Sequence, residues 1–185
     1  RIQRFMKDFE LPMKIVSSLI FNLLPFKSDL TLVLDRTNWK FGTKNINILM
    51  LGVSYKNVAF PLMFKMLDKR GNSDTKERID LIKLYIEWFG KETINCLLAD
   101  REFVGEKWLG FLNQNNIRYY IRIRNNFKIY SYQKQEEIKA FWLFNNLKVG
   151  EFYHYPKIVE LHGQRCYLSG SKTIDRDGKM EFLII

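Results

Sequence analysis

Between residues 30 and 124 the spacing of apolar residues switches repeatedly between a period of two, which suits a β-strand, and a period of about 3.6, which suits a helix. That alternation places the chain in the α/β class. Leu30 to Leu34 is a short β-prone run ending in Asp35, and Asn45 to Val53 and Val58 to Leu67 are two more, separated by the polar Lys56 and Asn57. They predict three consecutive strands, a meander. Ile79, Ile82, Ile86 and Phe89 then recur at three and four residues and stop at Gly90, which predicts a helix. Ile94 to Ala99 reads as a strand ending in Asp100, Trp108 to Leu112 as part of a helix that stops in Asn113 to Asn116, and Tyr119 to Arg124 as a fifth strand.

The flanking segments read differently. Arg1 to Phe26 carries Leu19, Ile20, Leu23 and Leu24 at helical spacing and closes at Pro25, a helical lead-in. Beyond Asn125 the pattern predicts a helix over Glu136 to Leu147, strands over Tyr153 to Leu161 and Arg165 to Ser169 with a turn at His162 and Gly163, and a last strand from Met180 after the Asp177-Gly178 turn. The expected organisation is a lead-in at 1–29, an α/β core at 30–124 and a β-rich region at 125–185. With no initiator methionine and an apolar end at Phe182 to Ile185, the chain reads as a fragment of something longer.

The 185 residues carry a formal charge of +10. Such an excess favours a polyanionic partner, because neutralising phosphates releases condensed counterions, although lysines also serve solubility alone. Cys96 and Cys166 show no paired spacing, which argues for a reducing compartment and two inert thiols. A zinc site from His154, His162 and Cys166 matches no common ligand spacing. No run approaches the roughly 18 apolar residues of a membrane span, so a soluble protein without a membrane partner is expected.

Two carboxylates occupy matching places. Asp35 closes Leu32-Val33-Leu34 and Asp100 closes Leu97-Leu98-Ala99. Functional groups gather at strand ends in open α/β sheets, and a carboxylate pair there suits Mg2+ or Mn2+, which take hard oxygen ligands and keep positions for water and phosphate. Taken alone, an aspartate at such a point is more readily a turn cap.

The residues around them narrow the choice. Leu34-Asp35-Arg36-Thr37-Asn38-Trp39-Lys40 with Phe41 and Gly42 resembles the first carboxylate motif of DDE transposases of the insertion-sequence-four family. Leu98-Ala99-Asp100-Arg101-Glu102-Phe103 with Gly105 and Trp108 resembles the second. The resemblance covers Leu30 to Arg124 well and the remainder loosely. It implies a ribonuclease H-like mixed sheet with helices on its faces and a β-rich insertion after the fifth strand. It further implies a metal-dependent transposase that cleaves and joins DNA at transposon ends, using two Mg2+ or Mn2+ ions on three acidic residues, of which Asp35 and Asp100 match the first two. An oligomer acting on double-stranded transposon-end and target DNA, in the cytoplasm of a bacterial or archaeal cell and close to its nucleoid, is implied likewise. The family's glutamate motif is not found, and Glu136, Glu137, Glu151, Glu160 and Glu181 lack its setting. This fragment alone is therefore expected to be inactive, and two rivals arise: a catalytically dead remnant that only binds DNA, and a nuclease of the same fold.

Candidate DNA contacts are Arg36, Trp39, Lys40, Arg101, Arg118, Arg122, Arg124 and Lys128. Arg36 and Arg101 flank the aspartates and suit a phosphate clamp or an exposed turn equally. Trp39 suits stacking on an unpaired base, with a core position the heavier alternative. Arg118, Arg122, Arg124 and Lys128 with Tyr119 and Tyr120 suit a phosphate backbone with some stacking, and an edge strand guarded by charge would look identical.

Overall fold

The computed structural model describes residues 12–67, 69, 71–175 and 177–185. The part of the helical lead-in that falls on residues 1–11 lies outside them. The chain separates into two compact units, Arg1–Cys96 and Leu97–Ile185.

In the first unit, helix α1 (Met13–Leu23) is followed by three antiparallel strands, β1 (Leu30–Phe41), β2 (Lys44–Tyr55) and β3 (Val58–Met66). This is the expected meander. The β2–β3 turn places Lys56 and Asn57 at φ 49° and 64°, the two positive values that a tight hairpin with the native strand twist requires. Alternation assigns one face to the core: Leu32 lies opposite Val53 and Leu34 opposite Leu51, which in turn lies opposite Met63, and all five are buried. Each buried aliphatic side chain of this kind contributes about 1.5–3 kcal/mol. A bulge at Leu51/Gly52 lets the edge strand β3 accept Pro61, and a Cβ at Gly52 would meet the Phe60 carbonyl oxygen at 2.8 Å, so only glycine fits.

Helix α2 (Thr75–Phe89) begins with a capping box. The Asp74 carboxylate accepts from the Glu77 N–H at 2.8 Å, and the Glu77 carboxylate accepts from the Asp74 N–H at 2.7 Å. The helix ends where Gly90 takes φ 85°. Behind it, the buried Tyr85 hydroxyl donates to Thr93 Oγ1, which donates to the Gly90 carbonyl, and burial pushes the phenol up to about 12. Phe21 of α1 stacks on Phe89 with ring centres 4.4 Å apart.

Strand β4 (Ile94–Ala99) contains the division between the units, and the longest sheet has the strand order β3-β2-β1-β4-β5. In the second unit β4 pairs in parallel with β5 (Tyr119–Ile121) after a crossover through helix α3 (Glu106–Gln114). Antiparallel and parallel pairs together make this a mixed sheet, and the chain an α/β protein. The remainder is strand-rich: β9 (Val159–Leu161) joins β6 (Lys128–Ser131), β7 (Glu136–Lys139) and β10 (Gln164–Cys166) in one sheet, and β11 (Ser169–Ile174) joins β8 (Phe152–His154) and β12 (Met180–Ile184) in another.

The structure corrects the sequence reading in four places. The helix expected over 136–147 is strand β7 followed by a 3-10 turn at Ala140–Leu143, because Ile138 lies opposite Ile129 of β6, where both are buried, with Glu137 and Lys139 left outside. The strand expected over 153–161 is two strands, β8 and β9, in different sheets, and that over 165–169 divides between β10 and β11. The fifth strand stops at Ile121 rather than Arg124; beyond it the Arg122 N–H still donates to the Ala99 carbonyl at 3.1 Å, and Ile123 forms an isolated bridge to Ile184. Strand β1 does not end at Asp35 but runs on to Phe41.

Candidate metal centre and nucleic-acid interface

Asp35 sits in the middle of β1, opposite Met50, which is opposite Phe64. The buried residues of β1 before it, Leu30, Leu32 and Leu34, turn to the core, so the pleat turns Asp35 the other way and leaves it exposed. Its Oδ1 accepts from the Arg36 N–H at 2.7 Å. Thr37 and Trp39 follow at the same parity, and Trp39 is 46% exposed, so the core reading of this tryptophan is corrected. The neighbouring rows carry Ile48 with Met66 and Ile46, giving an accessible apolar surface next to the carboxylate.

The same alternation separates Arg36 and Lys40 from Asp35 and Trp39. The Arg36 guanidinium donates to Asn47 Oδ1 at 3.3 Å and to Asn72 Oδ1 at 3.2 Å. Asn47, buried on β2, in turn donates to the carbonyls of Lys69 and Gly71 at 3.0 and 2.9 Å, which ties the segment before α2 to the sheet. Sequence reasoning passed over Asn47. Its signal was an amide at an inward-facing position of an otherwise apolar strand. Lys40 is exposed.

Asp100 follows β4 directly and is exposed at the head of a turn closed by the Phe103 N–H donating to the Asp100 carbonyl at 3.0 Å. The aromatic residues of this motif belong to the core: Phe103 and Trp108 are both fully buried. Arg101 and Arg118 are exposed at either side of this part of the unit's sequence, as is Arg124. Arg122 is engaged, forming an ion pair with Glu181 at 2.5 Å, and Lys128 lies 3.3 Å from Glu137. Ile121 and Ile123 are buried while Arg122 and Arg124 are not, as the alternation required, and β5 closes the strand order at one edge of its sheet. Burial holds the Cys166 thiol up to about 11, well away from a reactive thiolate at neutral pH.

Exposed carboxylates are the donors that Mg2+ and Mn2+ prefer, and Mg2+ commonly takes one or two of them with water and phosphate oxygens completing its shell. Asp35 and Asp100 have that chemistry. Among the described residues no group of three or more His, Cys, Asp or Glu side chains is placed to hold an ion. Among them, too, no helix is long and apolar enough to cross a membrane.

No protein-family model matches the chain, and no curated protein matches it. Among solved structures it is similar to a piggyBac transposase in a synaptic complex with hairpin DNA, at a TM-score of 0.42 and 15% identity. The match covers 100% of this chain and 39% of that one. A likeness of that degree assigns neither a fold family nor an activity.

Proposed function

We propose that the chain is part of the catalytic region of a metal-dependent DNA transposase of the insertion-sequence-four type, with a ribonuclease H-like core over 30–124 and a β-rich insertion over 125–185. Asp35 and Asp100 are its first two metal ligands. The single observation that carries this reading is the pair of motifs, Leu34 to Gly42 and Leu98 to Trp108, each presenting an exposed aspartate next to an arginine while its buried residues anchor the strand or turn. Two Mg2+ or Mn2+ ions, when bound, supply Lewis-acid stabilisation of a phosphoryl transfer and a lowered pKa for the attacking hydroxyl or water. The chain's own part is to hold two hard oxygen donors in place and to present Arg101 and Trp39 to a DNA strand. The whole protein acts as an oligomer on transposon ends and target DNA, inside a cell.

Binding of Mn2+ to the purified chain, followed by electron paramagnetic resonance, tests the shared site. Asp35→Asn and Asp100→Asn should each weaken the same class of bound ion. Loss of a different ion class in each variant, the other class keeping wild-type affinity, would sink the shared site. In the complete protein, Asp35→Ala should abolish cleavage with DNA affinity nearly intact; full activity would end the reading. A strand-joining assay separates a transposase from a nuclease, which yields cleaved product only.

A further inference from the structure

The second unit contains a groove that none of the motif residues explains. A hollow of about 400 Å3, floored by side chains such as Leu109, Ile121 and Leu168, shares Arg165 and Tyr167 with a more open one of about 610 Å3. Three tyrosines line the pair: Tyr120 of β5, 48% exposed, Tyr132 after β6, 40% exposed, and Tyr167 between β10 and β11, 56% exposed. Three cations accompany them, Arg118 and Arg165 in the first hollow and Lys157 and Arg165 in the second. All three are exposed. The Arg165 guanidinium lies 5.5 Å from the centre of the Tyr132 ring, and the Tyr167 ring is stacked on His154 at 6.2 Å. Glu160, opposite Arg165 across β9 and β10, accepts from the Tyr132 hydroxyl at 2.8 Å.

Accessible rings cost free energy in water unless something covers them. A ligand with flat apolar faces joined by negative links satisfies both halves of this lining: bases stack on rings, and phosphates meet cations. A duplex keeps its base faces stacked inside and offers only phosphate and groove edges, so it leaves the tyrosines unused. We propose that this groove holds an unpaired nucleic-acid strand, with bases on Tyr120, Tyr132 and Tyr167 and phosphates on Arg118, Lys157 and Arg165. The groove does not depend on the metal reading, since neither Asp35 nor Asp100 lines it.

The test is fluorescence anisotropy of the purified chain with labelled oligothymidylate, oligouridylate and a duplex of equal length, in EDTA so that metal binding plays no part. The strand should bind more tightly than the duplex. Tyr167→Ala should weaken strand binding on the order of tenfold while Tyr167→Phe retains it, and Arg165→Ala should weaken it and flatten its salt dependence. Preference for the deoxy or the ribo strand identifies which one the groove takes. Tyr167 is exposed, so its loss leaves no buried cavity; circular dichroism checks the fold, and Tyr120→Ala gives a second reading on a different strand. Wild-type affinity in both Tyr167→Ala and Tyr120→Ala overturns the inference, as does an equal loss on strand and duplex. Loss of Mn2+ binding in the Asp35 and Asp100 variants has no bearing on this outcome, so the two readings fail separately.

Discussion

The two units reach stability by different routes. The first rests on long strands in continuous register: β1 and β2 pair from Leu32 opposite Val53 to Phe41 opposite Lys44, so every inward residue is set by one parity. The second rests on strands of three to six residues, and partners such as β6 and β9 come from separate stretches of sequence. A long alternating strand declares its own faces. A three-residue strand has too few positions to declare anything, and its faces are decided by whichever partner it meets.

The largest expected effect separates the units directly. Leu51 is fully buried in the middle of the three-strand register, and Leu51→Ala should cost about 2–5 kcal/mol. In native-state hydrogen exchange the lost protection should be confined to residues 12–96, while 97–185 keep theirs. A uniform loss would erase the distinction between the units.

A smaller effect probes the close packing of the second unit. A Cβ on Gly170 of β11 would come within 2.6 Å of the Phe144 ring, so Gly170→Ala should destabilise by about 1–3 kcal/mol in urea unfolding, and Phe144→Leu should recover part of it. Neutral behaviour would mean that this packing is looser than that of the meander.

The smallest effect lies at the α2 cap. The backbone N–H of Glu77, and then the Lys69 ammonium, hold the Asp74 carboxyl below its ordinary 3.8. A lowered folded value means that the stabilisation is fully present above the ordinary value and is lost as the pH falls through the lower one. Asp74→Ala should therefore depress the melting temperature slightly at neutral pH and not at all in strong acid, as a thermal melt series across pH would record. A deficit independent of pH would assign the loss to helix propensity instead of the cap.

Much of the first unit is legible in the sequence, down to the turn at Lys56 and Asn57 and the helix ending at Gly90. The discrepancy there is local: a charge that interrupts an apolar run reads as a strand end at Asp35, yet the backbone pairs on through Arg36 to Phe41 with polar residues on both sides. Trp39 misleads for the same reason, since an aromatic residue near a strand reads as core unless the partner rows are known. In the second unit the expected helix at 136–147 fails because Glu137, Ile138 and Lys139 fit either period, and only the pairing with Lys128 to Ser131 decides between them. The candidate contacts divide similarly. Arg122 and Lys128 read as free cations, and the carboxylates that engage them, Glu181 and Glu137, stand 59 and 9 residues away.

What the sequence determined by itself was the period of each long element, the turn residues that bound it and the two aspartate motifs, because these depend on neighbours a few positions apart. The tertiary structure alone decided which face of β1 carries Asp35, that Asn47 ties Arg36 and the segment before α2 to the sheet, and that Tyr120, Tyr132 and Tyr167 line one groove. Those facts depend on pairing partners distant in sequence, and the free energy that selects a partner is spread over the whole interface rather than written in either strand.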